Sequence, residues 1–254
     1  MNVDMYSTVD RINELLGVNE AYKASDELMR ILYDKERRTK VFKEFLKEFN
    51  YDVSYDWFHL YFQDEHADRK NKKQDFTPNP VADLLSGLAG GDPYTYTCDI
   101  AAGTGGLTIR DWQNNRMKHS PFDYKPSMYL YHCEELSDRA LPFLLFNLMI
   151  RGMNATVLHG DTLSRSKVKG VFFVQNDNDD LLQFSSLNLM PYTENVRKEF
   201  GILSWADEKD RHKYIRDTKE FPEYLVKELR NTGEDETSKA ILKALREADM
   251  YDVN

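Results

Sequence analysis

The run Asp99-Ile100-Ala101-Ala102-Gly103-Thr104-Gly105-Gly106-Leu107 constrains this chain more than any other segment. Tyr94 to Ile100 is rich in aromatic and β-branched residues and reads as a buried strand. Gly103, Gly105 and Gly106 then demand a tight turn, and Leu107 to Met117 reads as a helix. Strand, glycine turn and helix in succession form a ligand cradle, because no Cβ keeps a ligand from the backbone amides.

The surrounding pattern is that of an α/β sheet. Met128 to Cys133 reads as a second strand ending at Glu134-Glu135, Ala155 to Leu158 as a third ending at His159-Gly160-Asp161, and Gly170 to Gln175 as a fourth. Between the second and third lies a helix with Leu141, Leu144, Leu145, Leu148 and Met149 on one face and Pro142 in its first turns, where a missing amide costs least. Asn176-Asp177-Asn178-Asp179-Asp180 is a polar turn, and Leu181 to Met190 can return as the second arm of a hairpin. Residues 1–70 read as helical, with Leu28, Ile31 and Leu32, then Phe42, Phe45, Leu46 and Phe49, at helical spacing. Trp57, Phe58, Tyr61 and Phe62 read as core packing, and nothing marks the flanking His59 and His66 as ligands. Three regions follow: a helical region over 1–70, an α/β core over 71–193, and a charged helical region over 194–254.

Composition narrows the setting. The net charge of −9 argues against a chain that grips DNA unaided, although Lys35 to Lys43 and Arg69 to Lys73 hold local basic clusters that read as solvated faces or, for the second, as phosphate contacts beside the ligand cradle. No apolar stretch reaches the length of a membrane span, and the N-terminus lacks a signal-peptide pattern, so a cytoplasmic location is expected. Cys98 and Cys133 form no metal-ligand spacing, so no metal is expected, and both are expected to be reduced and buried.

In a parallel sheet, ligands bind outside the carboxyl ends of the strands. There this chain collects Asp99, Glu135 and Asp161 beside the glycine turn. A carboxylate after the second strand suits a ribose diol, and one after the third suits an adenine amino group. Asp99 suits a methionine ammonium group or holds the turn through its amides. No Lys-Ser or Lys-Thr follows the glycines, which argues against a nucleoside-triphosphatase loop, while the turn by itself leaves a dinucleotide dehydrogenase open.

Four segments in order resemble the modification subunits of type I restriction-modification systems, which are N6-adenine DNA methyltransferases. Phe76-Thr77-Pro78, with Val81 and Leu84-Leu85, resembles the family's Phe/Tyr-Thr-Pro segment. Asp99 to Gly106 resembles its Asp-Pro-Ala-Cys-Gly-Ser-Gly-Gly motif, with departures at Ile100, Ala102 and Thr104. Glu135-Leu136 resembles its ribose-binding acid, Asn147 falls where the family has an Asn in the next helix, and Gly160-Asp161-Thr162-Leu163 matches its Gly-Asp-Thr-Leu.

The resemblance implies a class I, Rossmann-like methyltransferase sheet, truncated or closed differently after its fourth strand, with S-adenosylmethionine as cofactor. Phe76, Thr77, Pro78, Asp99, Ala101, Gly103, Gly105, Glu135 and Asp161 would hold that cofactor. The implied partners are DNA and the specificity or modification subunits of a type I system.

The family polarises the target amine with Asn-Pro-Pro-Phe/Tyr after the fourth strand. Here Asn176 stands at that place, without the prolines or the aromatic residue. Asn176 is also a residue type suited to a hairpin turn. Asn188-Leu189-Met190-Pro191-Tyr192 offers a second, longer variant downstream. Two functions stand open: a DNA adenine-N6 methyltransferase with Asn176 as its catalytic residue, and a catalytically inactive relative that binds the cofactor or acts through protein partners.

Overall fold

A computed structural model of the chain describes residues 5–62 and 96–218. The first described stretch is a helical layer of α1 (Met5–Leu16), α2 (Ala24–Tyr33) and α3 (Lys35–Glu48). Asp34 caps α3 by accepting the Arg37 amide at 3.0 Å. The second stretch runs β1 (Tyr96–Asp99), α4 (Gly106–Arg116), β2 (Leu130–Glu135), α5 (Leu141–Ile150), β3 (Asn154–His159), β4 (Gly170–Gln175), β5 (Ser186–Leu189) and α6 (Glu194–Glu199). The fold is α/β: a mixed five-stranded sheet with helices packed against it.

The sheet order is β1-β2-β3-β4-β5, the order of the chain. β1, β2 and β3 are parallel, with Cys133 beside Asp99 and Val157. β4 then pairs antiparallel with β3, setting Gly170 against His159 and Val174 against Ala155, and β5 returns antiparallel beside β4. The hairpin expected after Gln175 is present. The sheet departs from a doubly wound one at β4 itself, since in that arrangement the fourth strand lies beside the first. The connection explains this. Only residues 160–169 separate β3 from β4, whereas a parallel crossover needs a dozen or more residues.

Helix α5 holds the layers together. All ten of its residues are buried, so the helix with one apolar face expected from its leucines is in fact enclosed on every side, between the sheet and the helical layer, with Asn147 its one polar side chain. Phe146 sits 4.8 Å from the rings of both Phe42 and Phe45 and 5.1 Å from Phe58. Burying each such ring is worth about 1.5–3 kcal/mol. The other face of the sheet is covered by Met190, Val196 and Ile202, packed on Leu158, Val171 and Phe173.

Two expectations are corrected. Cys98 is exposed, because it lies on β1 at one side of the described sheet, while Cys133 is buried as expected. Over 194–218 the chain is helical only in α6 and a single 3-10 turn at Glu208–Asp210. The rest runs irregularly back over the sheet. Its amide and carbonyl groups bond to β5, Leu189 to Ile215 at 2.8 Å and Asp217 to Leu187 at 3.2 Å, in place of helical bonds. Asp217 also pairs with the buried Arg38 of α3.

Candidate cofactor cleft

A cleft of 370 Å³ opens at the carboxyl ends of β1, β2 and β3. Ile100 to Thr104, Gly106 and Leu107 form its floor, Glu134, Glu135, Leu136 and Ala140 one wall, and Asp161, Thr162 and Leu163 another, with His59 of the helical layer completing it. Among the described residues the lining contains no lysine or arginine. Such a surface suits a ligand with hydroxyl, amino or cationic groups and gives a phosphate no ionic partner.

The glycine turn is held from several sides. Gly103 and Gly105 take the left-handed conformation, at φ of 56° and 93°, which strains any residue with a side chain. A Cβ at Gly105 would also stand 2.9 Å from Leu144 Cδ1 of α5. The Ala102 amide donates to the Glu134 carbonyl at 3.1 Å. The Gly103 amide donates to Glu135 Oε2 at 2.7 Å, and Glu135 Oε1 takes the Ser137 amide at 2.6 Å. Burial raises the Glu135 pKa above the ordinary carboxylate value, and these amides oppose the rise. Glu135 lines the cleft, where a carboxylate oxygen can also accept a ligand hydroxyl.

Asp99 takes the second role considered for it. Its Oδ2 accepts the Thr108 hydroxyl at 2.9 Å, fastening the turn to the start of α4, and it does not line the cleft. Burial raises its pKa, against the Thr108 and Ala101 bonds. Asp161 stands at the mouth, where Oδ1 accepts the Leu163 amide at 3.0 Å. The Ser164 hydroxyl, followed by the Leu163 amide, lowers its pKa. Ile100, Leu136 and Leu163 are exposed by 56%, 63% and 93%, an apolar rim able to flank a flat ring.

Glu134 points to the opposite face of the sheet from Glu135. Its Oε1 pairs with Arg165 at 2.6 Å and His132 at 3.0 Å, and its Oε2 has no hydrogen-bond partner among the described residues.

The sequence model of the N-6 DNA methylase family matches residues 52–186. The chain belongs to the N-6 DNA methylase family. Comparison with curated proteins and with solved structures gave no significant match. The matched stretch begins at the segment that brings His59 to the cleft and ends at the first residue of β5.

Within this N-6 DNA methylase domain, the structure brings Ala101, Gly103, Glu135 and Asp161 together, with Gly105 fixing the turn and Asp99 behind it. Phe76, Thr77 and Pro78 lie outside the described residues.

Asn176, by contrast, is not at the cleft. Because β4 is antiparallel, its end lies beside the start of β3, at the opposite edge of the sheet from Asp161. Asn176 is fully buried there. Its Nδ2 donates to the carbonyls of Asp180 at 2.8 Å and Gly152 at 3.1 Å, and its Oδ1 accepts the Asp180 amide at 3.0 Å. These bonds are those of a turn residue, the other role open to Asn176. Asn188 and Tyr192 do not line the cleft either. Asn188 is buried in β5 against Thr218, and the Tyr192 hydroxyl donates to the Lys169 carbonyl at 2.7 Å.

Sequence reading missed His59 and Ala140 in the lining. The available signal for the first was Asp56, an acid inside a largely aromatic run and now buried. Among the described residues no three His, Cys, Asp or Glu side chains could hold a metal, and no helix is long and apolar enough to cross a membrane.

Proposed function

We propose that this N-6 DNA methylase relative is an S-adenosylmethionine-binding protein of the type I modification-subunit kind. In this reading it keeps cofactor capture, does not perform methyl transfer with the residues after β4, and acts in the cytoplasm beside partner subunits of a restriction-modification system. The reversal of β4 carries this reading, because it removes Asn176 from the end of the sheet that holds the glycine turn, Glu135 and Asp161.

The residues fit the cofactor by chemistry. Glu135 would accept the ribose hydroxyls, and Asp161 the adenine amino group. Leu136 and Leu163 would flank the ring, and the bare backbone at Gly103 would admit the methionine tail. When bound, S-adenosylmethionine supplies a methyl group made electrophilic by its sulfonium. The acidic lining, free of lysine and arginine among the described residues, would favour that positive charge over a phosphate-bearing nucleotide. A net charge of −9 fits a chain that meets DNA only within an assembly.

The family match favours a second reading, an active adenine methyltransferase. Such an enzyme must extrude the base and polarise its amine with a positioned acceptor pair. Two assays separate the readings. Calorimetric titration with S-adenosylmethionine should show binding, and absence of binding by folded protein would sink the cofactor assignment. Transfer of labelled methyl groups to mixed DNA should be absent, with or without candidate partner subunits. Transfer abolished by Asn176→Ala would establish the active reading instead.

A further inference from the structure

The segment from Asp52 to Phe62 belongs to the helical layer, yet it reaches the cleft and holds the back of the glycine turn. Asp56, 9% exposed, accepts three hydrogen bonds. They come from the Thr104 hydroxyl at 2.5 Å, the Asn147 side-chain amide at 2.8 Å and the Phe58 amide at 2.9 Å. The same Asn147 nitrogen donates to the Thr104 carbonyl at 2.8 Å, so Thr104 is held by both its side chain and its backbone. Arg151 closes the network. It donates to Asn147 Oδ1 at 2.8 Å and to the carbonyls of Val53 at 2.9 Å and Tyr55 at 2.6 Å, and its guanidinium lies 5.2 Å from the Trp57 ring centroid.

The position of this network matters more than its stability. A buried polar cluster is seldom more stabilising than apolar packing of the same volume. This one contacts the middle residue of the turn, while Glu135 holds the amide of Gly103, the residue before it. Two carboxylates from different layers therefore fix adjacent residues of the ligand-facing loop before a ligand arrives. That removes ordering cost from binding. One turn of chain beyond Asp56, His59 lines the cleft itself.

Building on the cofactor reading above, we propose that Asp52 to Phe62 is a working part of the cofactor site, with Asp56 the positioning residue for the glycine turn and His59 a ligand-contacting side chain. The helical layer is then a wall of the pocket as well as a cover for α5.

The test uses the full chain with S-adenosylmethionine as probe, reading affinity by calorimetry and the thermal midpoint of the ligand-free protein in parallel. Thr104→Val removes the hydroxyl at nearly constant volume, and Thr104→Ser keeps it. Thr104→Val should weaken binding roughly three- to tenfold, the effect of one hydrogen bond, and Thr104→Ser should restore it. His59→Ala should weaken binding while leaving the midpoint unchanged. Amides of residues 52–62 should exchange more slowly when ligand is added.

The Thr104 pair and His59→Ala decide without altering the buried Asp56 itself. A lowered midpoint with wild-type affinity in Thr104→Val, together with unchanged affinity in His59→Ala, would reduce the network to a structural tie and overturn the proposal while the cofactor reading stood. Failure of the unmodified protein to bind would overturn both.

Discussion

The two parts of the sheet obey different rules. In the first, β1 to β3 run parallel, long helical crossovers return the chain to the same edge, and each strand end delivers an acid or a glycine turn to one cleft. In the second, a short connection reverses β4, and the hairpin of β4 and β5 delivers its turn to the far edge. The polar residues at the two edges differ accordingly. Glu135 and Asp161 keep acceptor capacity facing a cavity, whereas Asn176 uses its amide on neighbouring backbone. A residue's position in a motif does not fix its place in the fold when the strand carrying it runs the other way.

The contrast can be broken at either end. The largest effect is expected at Glu135. Glu135→Ala removes acceptors for the Gly103 and Ser137 amides together with the ligand's own partner. Hydrogen bonds to a charged group are worth about 1.5–3 kcal/mol each, so the Kd for S-adenosylmethionine should rise about 30-fold or more. Titration calorimetry reads this directly. Next comes Asn176→Ala, which leaves four backbone groups, the carbonyls of Gly152, Asp180 and Gln183 and the Asp180 amide, short of a partner. It should destabilise the fold by about 1–3 kcal/mol in denaturant unfolding and leave ligand affinity unchanged. A loss of affinity there would mean the far edge contributes to the site after all.

A smaller effect is expected at the seam between the two parts. His159, at the end of β3, has its Nδ1 2.7 Å from His212 Nε2, with Asp138 and Lys169 beside the pair. Burial, then the neighbouring imidazole, lowers the His159 pKa, and burial lowers that of His212, with Lys169 adding to the shift and Asp138 opposing it. Both folded values therefore lie below those of the unfolded chain. Their contribution to stability is complete above the unfolded value of about 6.5 and is lost as pH falls below it. Thermal midpoints measured from neutral to acidic pH should decline less steeply in His212→Gln than in the unmodified protein. The smallest effect belongs to Asp161→Asn, which keeps one acceptor oxygen at an exposed position. A Kd change of about two- to fourfold is expected, the worth of part of one exposed hydrogen bond.

Much of the first part was legible in the chain. Tyr96–Asp99, Leu130–Glu135 and Asn154–His159 follow their β-rich runs to within two residues, and the glycines at 103 and 105 adopt the backbone that only they accept without strain. Gly170–Gln175 was equally plain as a strand, but its direction was not. Val171-Phe172-Phe173-Val174 is buried on both faces, so its hydrophobic pattern is the same for a parallel and an antiparallel neighbour. The deciding signal was the length of residues 160–169, too short for a crossover. The roles of Asp56 and His59 were not legible, because they depend on a contact between the helical layer and α5 across some ninety residues of sequence. The irregular path of 200–218 was masked by a charged, helix-like composition whose backbone bonds go to β5 instead.

The central claim is that the cofactor end and the Asn176 end of this sheet are functionally separate. It is tested most directly by titrating S-adenosylmethionine into the unmodified chain, Glu135→Ala and Asn176→Ala under one set of conditions. The account predicts equal affinity for the unmodified chain and Asn176→Ala, with binding lost or strongly weakened in Glu135→Ala. Binding that survives in Glu135→Ala and fails in a folded Asn176→Ala would contradict it.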